Sequence, residues 1–130
     1  MIPTCRALCA LLLVAPLGRG IAFADGARFA VVVGSNRGEA DAPSLRYAER
    51  DATRVGEVLV HLGGVAPEHL LVVRTPSRID LEVALAGFAP RLAAAGPGAV
   101  LFFYYSGHAD SGGLLLSGTR LPFGELKRSL

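Results

Sequence analysis

The sequence predicts an α/β fold, a mainly parallel sheet layered between helices, and three features carry that prediction. Apolar runs near residues 28–34, 69–74 and 99–106 are rich in β-branched or aromatic side chains and lack polar alternation, the pattern of strands buried on both faces. Between them lie two stretches whose apolar residues recur at helical spacing. The connections are short, and strand-helix alternation with short connections implies right-handed crossovers between parallel neighbours.

The first strand is RFAVVVG, Arg28 to Gly34, and it breaks into a polar loop, GSNRGEADAPS, with turn formers at Gly34, Gly38 and Pro43. From Leu45 a helix is expected, because Leu45, Ala48, Ala52, Val55, Leu59 and Leu62 share one face while Arg46, Glu49, Arg50, Arg54 and Glu57 fall elsewhere. Ser44 is its expected N-cap, and Gly63-Gly64 its stop.

Leu70 to Val73 reads as the second strand. Ser77 with Asp80 three residues on has the form of a capping box, opening a helix whose apolar face is Leu81, Leu85, Phe88 and Leu92. Pro90 is expected to kink or end that helix, since it lacks the amide proton and crowds the preceding turn. After Gly96-Pro97-Gly98, Ala99 to Tyr105 forms the third strand. Leu114 to Leu116 then suggests a short hairpin arm, and a further helix starts around Phe123, with Leu126 and Leu130 expected to need a core beyond this chain.

Composition fits one globular domain: 130 residues, 52% hydrophobic and 18% charged. The beginning is set apart. Arg6 precedes an apolar run from Ala7 to Pro16 and a small-residue exit at Ala22-Phe23-Ala24, the arrangement of a secretory signal. The run is shorter than the about 20 residues needed to span a bilayer. Residues 1–24 are therefore expected to be a signal peptide cleaved after Ala24, leaving an exported domain from residue 25 with no membrane association.

Removal of that segment takes away Arg6 and Arg19 but no acid, so 13 basic and 11 acidic residues become 11 of each. A neutral domain offers no clustered cations for nucleic acid. Cys5 and Cys9 both lie in the expected signal, so residues 25–130 hold no thiol, disulfide or cysteine metal ligand, and neither metal nor cofactor is expected.

In an open parallel sheet, sites form at the carboxyl ends of strands, at the crevice where connections diverge. A strand order 2-1-3 would bring Gly34-Ser35-Asn36 beside Ser106-Gly107-His108. His108 directly follows the third strand, where an imidazole is placed to exchange protons. His61, near a helix end, and His69, at a strand start, suit surface or terminal roles.

The segment FFYYSGHAD, Phe102 to Asp110, resembles the strand and catalytic-histidine segment of caspases, metacaspases and their bacterial relatives. RFAVVVGSN resembles that family's first strand, SLRYAERDATRVGEVLVHLGG its first helix, and GGLLLSGTRLPFGELKRSL the segment after the histidine. The resemblance covers roughly residues 28–130 and implies an α/β/α sandwich, incomplete in this chain, of a cysteine endopeptidase acting on peptide or protein substrates. It further implies that His108 is the catalytic histidine and that the amide of Ala109 helps to bind the oxyanion. Relatives commonly have glycine at that second position, and a positive φ there would strain alanine.

The same resemblance places the nucleophilic cysteine on the next strand, about 50 residues after the histidine. That lies beyond Leu130, so the chain by itself is expected to be inactive and its third strand to stand at an uncovered edge. Substrate preference in the family depends partly on charges near the first-strand loop, where Asn36, Arg37 and Arg46 are candidates, with Asp51 of opposite sign nearby. A nucleotide or phosphate binder at Gly34-Ser35-Asn36-Arg37-Gly38 lacks its fingerprints, since no GxGxxG follows the first strand and no GxxxxGK[ST] occurs in the sequence, and a serine hydrolase using Ser106 and His108 lacks GxSxG and has the two residues only two positions apart. A noncatalytic module of the same fold is the remaining alternative.

Overall fold

A computed structural model describes residues 26–130. The expected signal peptide, residues 1–24, lies outside the described residues. The elements run β1 (Arg28–Gly34), α1 (Ala48–His61), β2 (Leu70–Arg74), α2 (Arg78–Ala94), β3 (Val100–Ser106), β4 (His108–Ala109), β5 (Gly113–Leu116), β6 (Thr119–Pro122) and α3 (Phe123–Ser129), with a 3-10 turn at Pro67–His69 leading into β2.

The first three strands form a parallel sheet in the order β2-β1-β3. Register runs from Ala30 opposite Leu70 on one side and from Arg28 opposite Val100 on the other, so all three strands finish level at Arg74, Gly34 and Ser106. The 2-1-3 order thus holds, and Ser35 N–H donates to the Ser106 carbonyl at 2.9 Å, tying the two loops together. β1 is the buried centre. Among the described residues β3 is an edge of this sheet, and Val100 and Phe102 on it are 59% and 45% exposed.

Alternation along β1 divides its side chains between two faces. Phe29, Val31 and Val33 join Leu81, Leu85 and Phe88 of α2, Leu114, Leu116 and Leu121 of the small sheet, and Leu126 of α3 in one apolar cluster. Leu126 is therefore packed, contrary to the sequence expectation. Ala30 and Val32 face α1, whose buried residues are Ala48, Ala52 and Gly56. A Cβ on Gly56 would touch Val32 and Leu70, so small side chains are what let this helix lie close to the sheet.

Helix α1 begins three residues later than its apolar spacing suggests. Leu45 donates its amide, and Ser44 its hydroxyl, to the Asn36 carbonyl at 2.8 and 3.2 Å, which holds both residues in the loop. Tyr47 takes the N-cap position without a side-chain cap. Leu45 and Leu62, assigned to the buried face from their spacing, are 36% and 84% exposed. Gly64 adopts φ of 70°, the left-handed turn expected after the helix.

The Ser77–Asp80 capping box is present at the start of α2: the Asp80 amide reaches Ser77 Oγ at 3.3 Å and the Ser77 amide reaches Asp80 Oδ2 at 2.9 Å. The helix runs through Pro90 to Ala94 rather than ending there. Pro90 and Ala86, whose carbonyl loses its helical donor, are both exposed, so water can take that bond while Leu85 and Phe88 keep the helix on the core.

Beyond β3 the chain forms an antiparallel sheet, β4-β5-β6. Ser117 and Gly118, at φ 34° and 79°, make the two-residue β5–β6 turn, both in the left-handed region that such turns require. This turn docks on the loop after β1: Ser117 and Gly118 donate their amides to the carbonyls of Arg37 and Gly38 at 3.2 and 2.7 Å.

Candidate active site

The carboxyl ends of β1, β2 and β3 meet at one edge, and the loop of residues 35–47 crosses over it. Ser35 is fully buried and turns that loop by donating its hydroxyl to the Arg37 carbonyl at 2.7 Å. Asn36 then anchors it. Its carbonyl holds Leu45 and Ser44, and its side-chain oxygen accepts the Glu49 amide at 3.4 Å near the start of α1.

His108 opens β4 opposite Leu115. Its ring Nε2 lies 2.8 Å from the Pro43 carbonyl oxygen. A carbonyl can only accept, so Nε2 carries the proton, and in the neutral ring Nδ1 holds the lone pair. Gly38 packs against the same ring: a Cβ on it would come within 2.6 Å of His108 Cδ2. One loop thus supplies both the hydrogen bond and the close wall that fix the imidazole.

The main chain at His108 is fixed from below. Tyr105 Oη approaches the carbonyl oxygens of His108 and Leu115 at 2.8 and 3.1 Å, donating its proton between them. Burial pushes the Tyr105 phenol up to about 12, so it remains a donor throughout the neutral range. Beyond Ala109, Asp110 Oδ1 accepts the amides of Gly112 and Gly113 at 2.7 and 3.1 Å and pairs with Arg120 at 2.6 Å. The Gly112 amide above all, with help from Arg120, holds this carboxyl below its ordinary value.

Ala109 lies opposite Leu114, and the next pair closes with Asp110 N–H on the Gly113 carbonyl at 3.1 Å. Antiparallel ladders alternate bonded and non-bonded pairs, so the Ala109 amide points away from β5, toward the open side of an edge strand. The non-glycine residues with positive φ among those described are Thr75 and Ser117, so Ala109 is free of the strain that a glycine-like backbone would impose.

The candidate pocket residues separate into two clefts. Arg37 borders a cleft of about 510 Å³ with Gly38, Glu39, Ser44, Ser117 and Gly118. Asn36 and Arg46 line another, of about 330 Å³, with Glu49, Arg50, Thr53 and Arg74. The first adjoins the two residues that hold the His108 ring, Gly38 and Pro43. The second lies where α1 starts and β2 ends, and its arginines outnumber its one carboxylate.

His61 and His69 stand apart from this site. His61 is the last residue of α1, with Nδ1 on the Glu57 carbonyl at 2.7 Å, and His69 stacks on Phe29 with ring centroids 4.0 Å apart. Sequence reasoning missed Pro43, because its contribution is a main-chain oxygen that every residue type possesses. It also missed Thr75, which joins the ends of β1 and β2 to α1: its amide donates to Gly34 at 2.6 Å and its hydroxyl to Glu49.

Among the described residues no helix is long and apolar enough to cross a membrane, and no group of three or more His, Cys, Asp and Glu side chains is arranged to hold a metal ion. Comparison with curated proteins returned no match. Comparison with protein families matched the caspase domain over residues 27–129, which takes in the parallel sheet, both long helices, the β4–β6 sheet and His108. With most of its length matched, and with the parallel βαβαβ order that the resemblance implied, the chain belongs to the caspase-domain family of cysteine peptidases.

Proposed function

We propose that this chain supplies the histidine half of a caspase-like cysteine endopeptidase, with His108 as the proton-transfer group and a thiol from outside residues 25–130 as the nucleophile. The observation that carries this reading is the Nε2 bond of His108 to Pro43, which leaves Nδ1 as the basic nitrogen. In the reaction the thiolate attacks the scissile carbonyl carbon, and the carbonyl oxygen gains the negative charge. The outward amide of Ala109 donates to that oxyanion. The protonated imidazole gives its proton to the leaving amine as the carbon–nitrogen bond breaks, and water then releases the acyl group from sulfur.

Peptide or protein substrate lies along the Arg37 cleft beside His108, while Asn36 and Arg46 border the neighbouring arginine-lined cleft. No nucleic acid, metal or cofactor takes part, and the domain is exported after cleavage at Ala24, where mass spectrometry of the secreted protein should place its new amino terminus. The second reading is a noncatalytic binding module of the same fold, in which His108 performs no chemistry. Reading the coding sequence downstream of Leu130 separates the two. An in-frame strand ending in cysteine supports the peptidase, and a stop codon with no such cysteine leaves the module.

A further inference from the structure

We infer that Thr75 is a positioning residue for His108, acting through the loop that carries Pro43; this rests on the reading of His108 as the proton-transfer group. Thr75 sits just after β2, at φ of 41°, in the left-handed region. A β-branched side chain is seldom found there, and such strain persists where surrounding bonds over-determine it. Those bonds are present. The Thr75 amide donates to the Gly34 carbonyl at 2.6 Å, and its own carbonyl accepts the Ser117 hydroxyl at 3.1 Å. Its Oγ1 accepts the Asn36 amide at 3.3 Å and donates to Glu49 Oε1.

These partners bracket the histidine loop. Asn36 holds Ser44 and Leu45, the residues immediately after Pro43, through one carbonyl oxygen. Ser117, on the β5–β6 turn, fixes Arg37 at the other end of the loop. Thr75 therefore holds Asn36 directly and Arg37 through Ser117, both ahead of Pro43, and reaches Ser44 and Leu45 behind it through the Asn36 carbonyl. Glycine would adopt the same φ more cheaply but lacks Oγ1, and valine keeps the shape but loses the hydroxyl. A threonine whose backbone strain is kept for the sake of its hydroxyl fits a role in holding the site.

The test uses the full chain and labelling by diethyl pyrocarbonate, which acylates unprotonated imidazole nitrogen, with the three histidines resolved by peptide mass spectrometry. In Thr75→Gly and Thr75→Val the Pro43 bond that keeps the proton on Nε2 loosens, the other tautomer then presents an unprotonated Nε2, and His108 should be labelled faster by roughly five-fold, the equivalent of one net hydrogen bond. His61 and His69 should keep their rates, and Thr75→Ser should leave all three near the parent values. Unchanged labelling of His108 in both Thr75→Gly and Thr75→Val would overturn the inference. So would an equal rise at all three histidines in Thr75→Gly, because that marks general loosening of the fold. Valine at φ of 41° can fail to fold; the glycine variant, free of that strain, then decides. The labelling reads the coupling without peptidase activity, so a failed peptidase reading and a failed coupling give different results.

Discussion

His108 is bonded through Nε2 to the main-chain oxygen of Pro43, 65 positions earlier in the chain, at 2.8 Å. This bond sets the tautomer, and Gly38 sets the ring's place. In Gly38→Ala the new methyl would meet His108 Cδ2 at 2.6 Å, too close for either group to stay where it is. The imidazole should leave Pro43, and nitrogen NMR of the ring should show the Nε2-protonated form losing its predominance. An unchanged tautomer ratio would mean that the ring is held by something other than this loop.

The core centred on β1 sets the stability of the fold. Leu81 is fully buried against the Phe29, Val31 and Val33 face. Its replacement by alanine should cost about 2–5 kcal/mol in denaturant unfolding, through lost burial and the cavity left behind. Leu62→Ala, at a position 84% exposed, should stay within about 0.5 kcal/mol.

Helix α1 makes the opposite demand, because its contact with the sheet depends on small side chains. Ala52 is fully buried on the face toward Ala30 and Val32. Ala52→Leu should destabilise by about 1–3 kcal/mol despite leucine's good helix propensity, since the added methylenes have no space. Thermal or denaturant unfolding beside the parent chain checks it, and a neutral result would show that α1 can move off the sheet.

The turn between β4 and β5 should be sensitive to acid. The Asp110 carboxyl lies below its ordinary value of 3.8 because it accepts the Gly112 amide and pairs with Arg120. A carboxyl depressed in the folded state stabilises above its unfolded value and loses that contribution as pH falls through the folded one. Stability of the parent chain should therefore decline below pH 3.8 more steeply than that of Asp110→Asn, which has no such proton to take up. Parallel pH profiles of the two would show the charge to be irrelevant.

Much of this architecture is legible in the sequence because it follows from side-chain pattern. The unbroken apolar runs gave three parallel strands, and the order β2-β1-β3 places Ser35 against Ser106 as the crevice argument requires. The capping box at Ser77 and Asp80 is written in residue type and spacing alone. What stayed hidden depends on main-chain groups and on the tertiary setting. The Asn36 carbonyl withholds Ser44 and Leu45 from α1, and the Pro43 carbonyl orients His108, yet carbonyls leave no mark in a sequence. Thr75 at positive φ contradicts its own local preference, so only the assembled bonds around it explain it.

Peptide hydrolysis with and without the His108 imidazole decides whether this residue moves the proton in a thiol-dependent cleavage. Peptide hydrolysis is measured for residues 25–130 alone, for the polypeptide extended through its downstream coding sequence, and for the extended form carrying His108→Ala. No cleavage is expected from the first, thiol-dependent cleavage from the second and its loss in the third. Cleavage by the extended protein that proceeds at the same rate with His108 replaced would contradict that role.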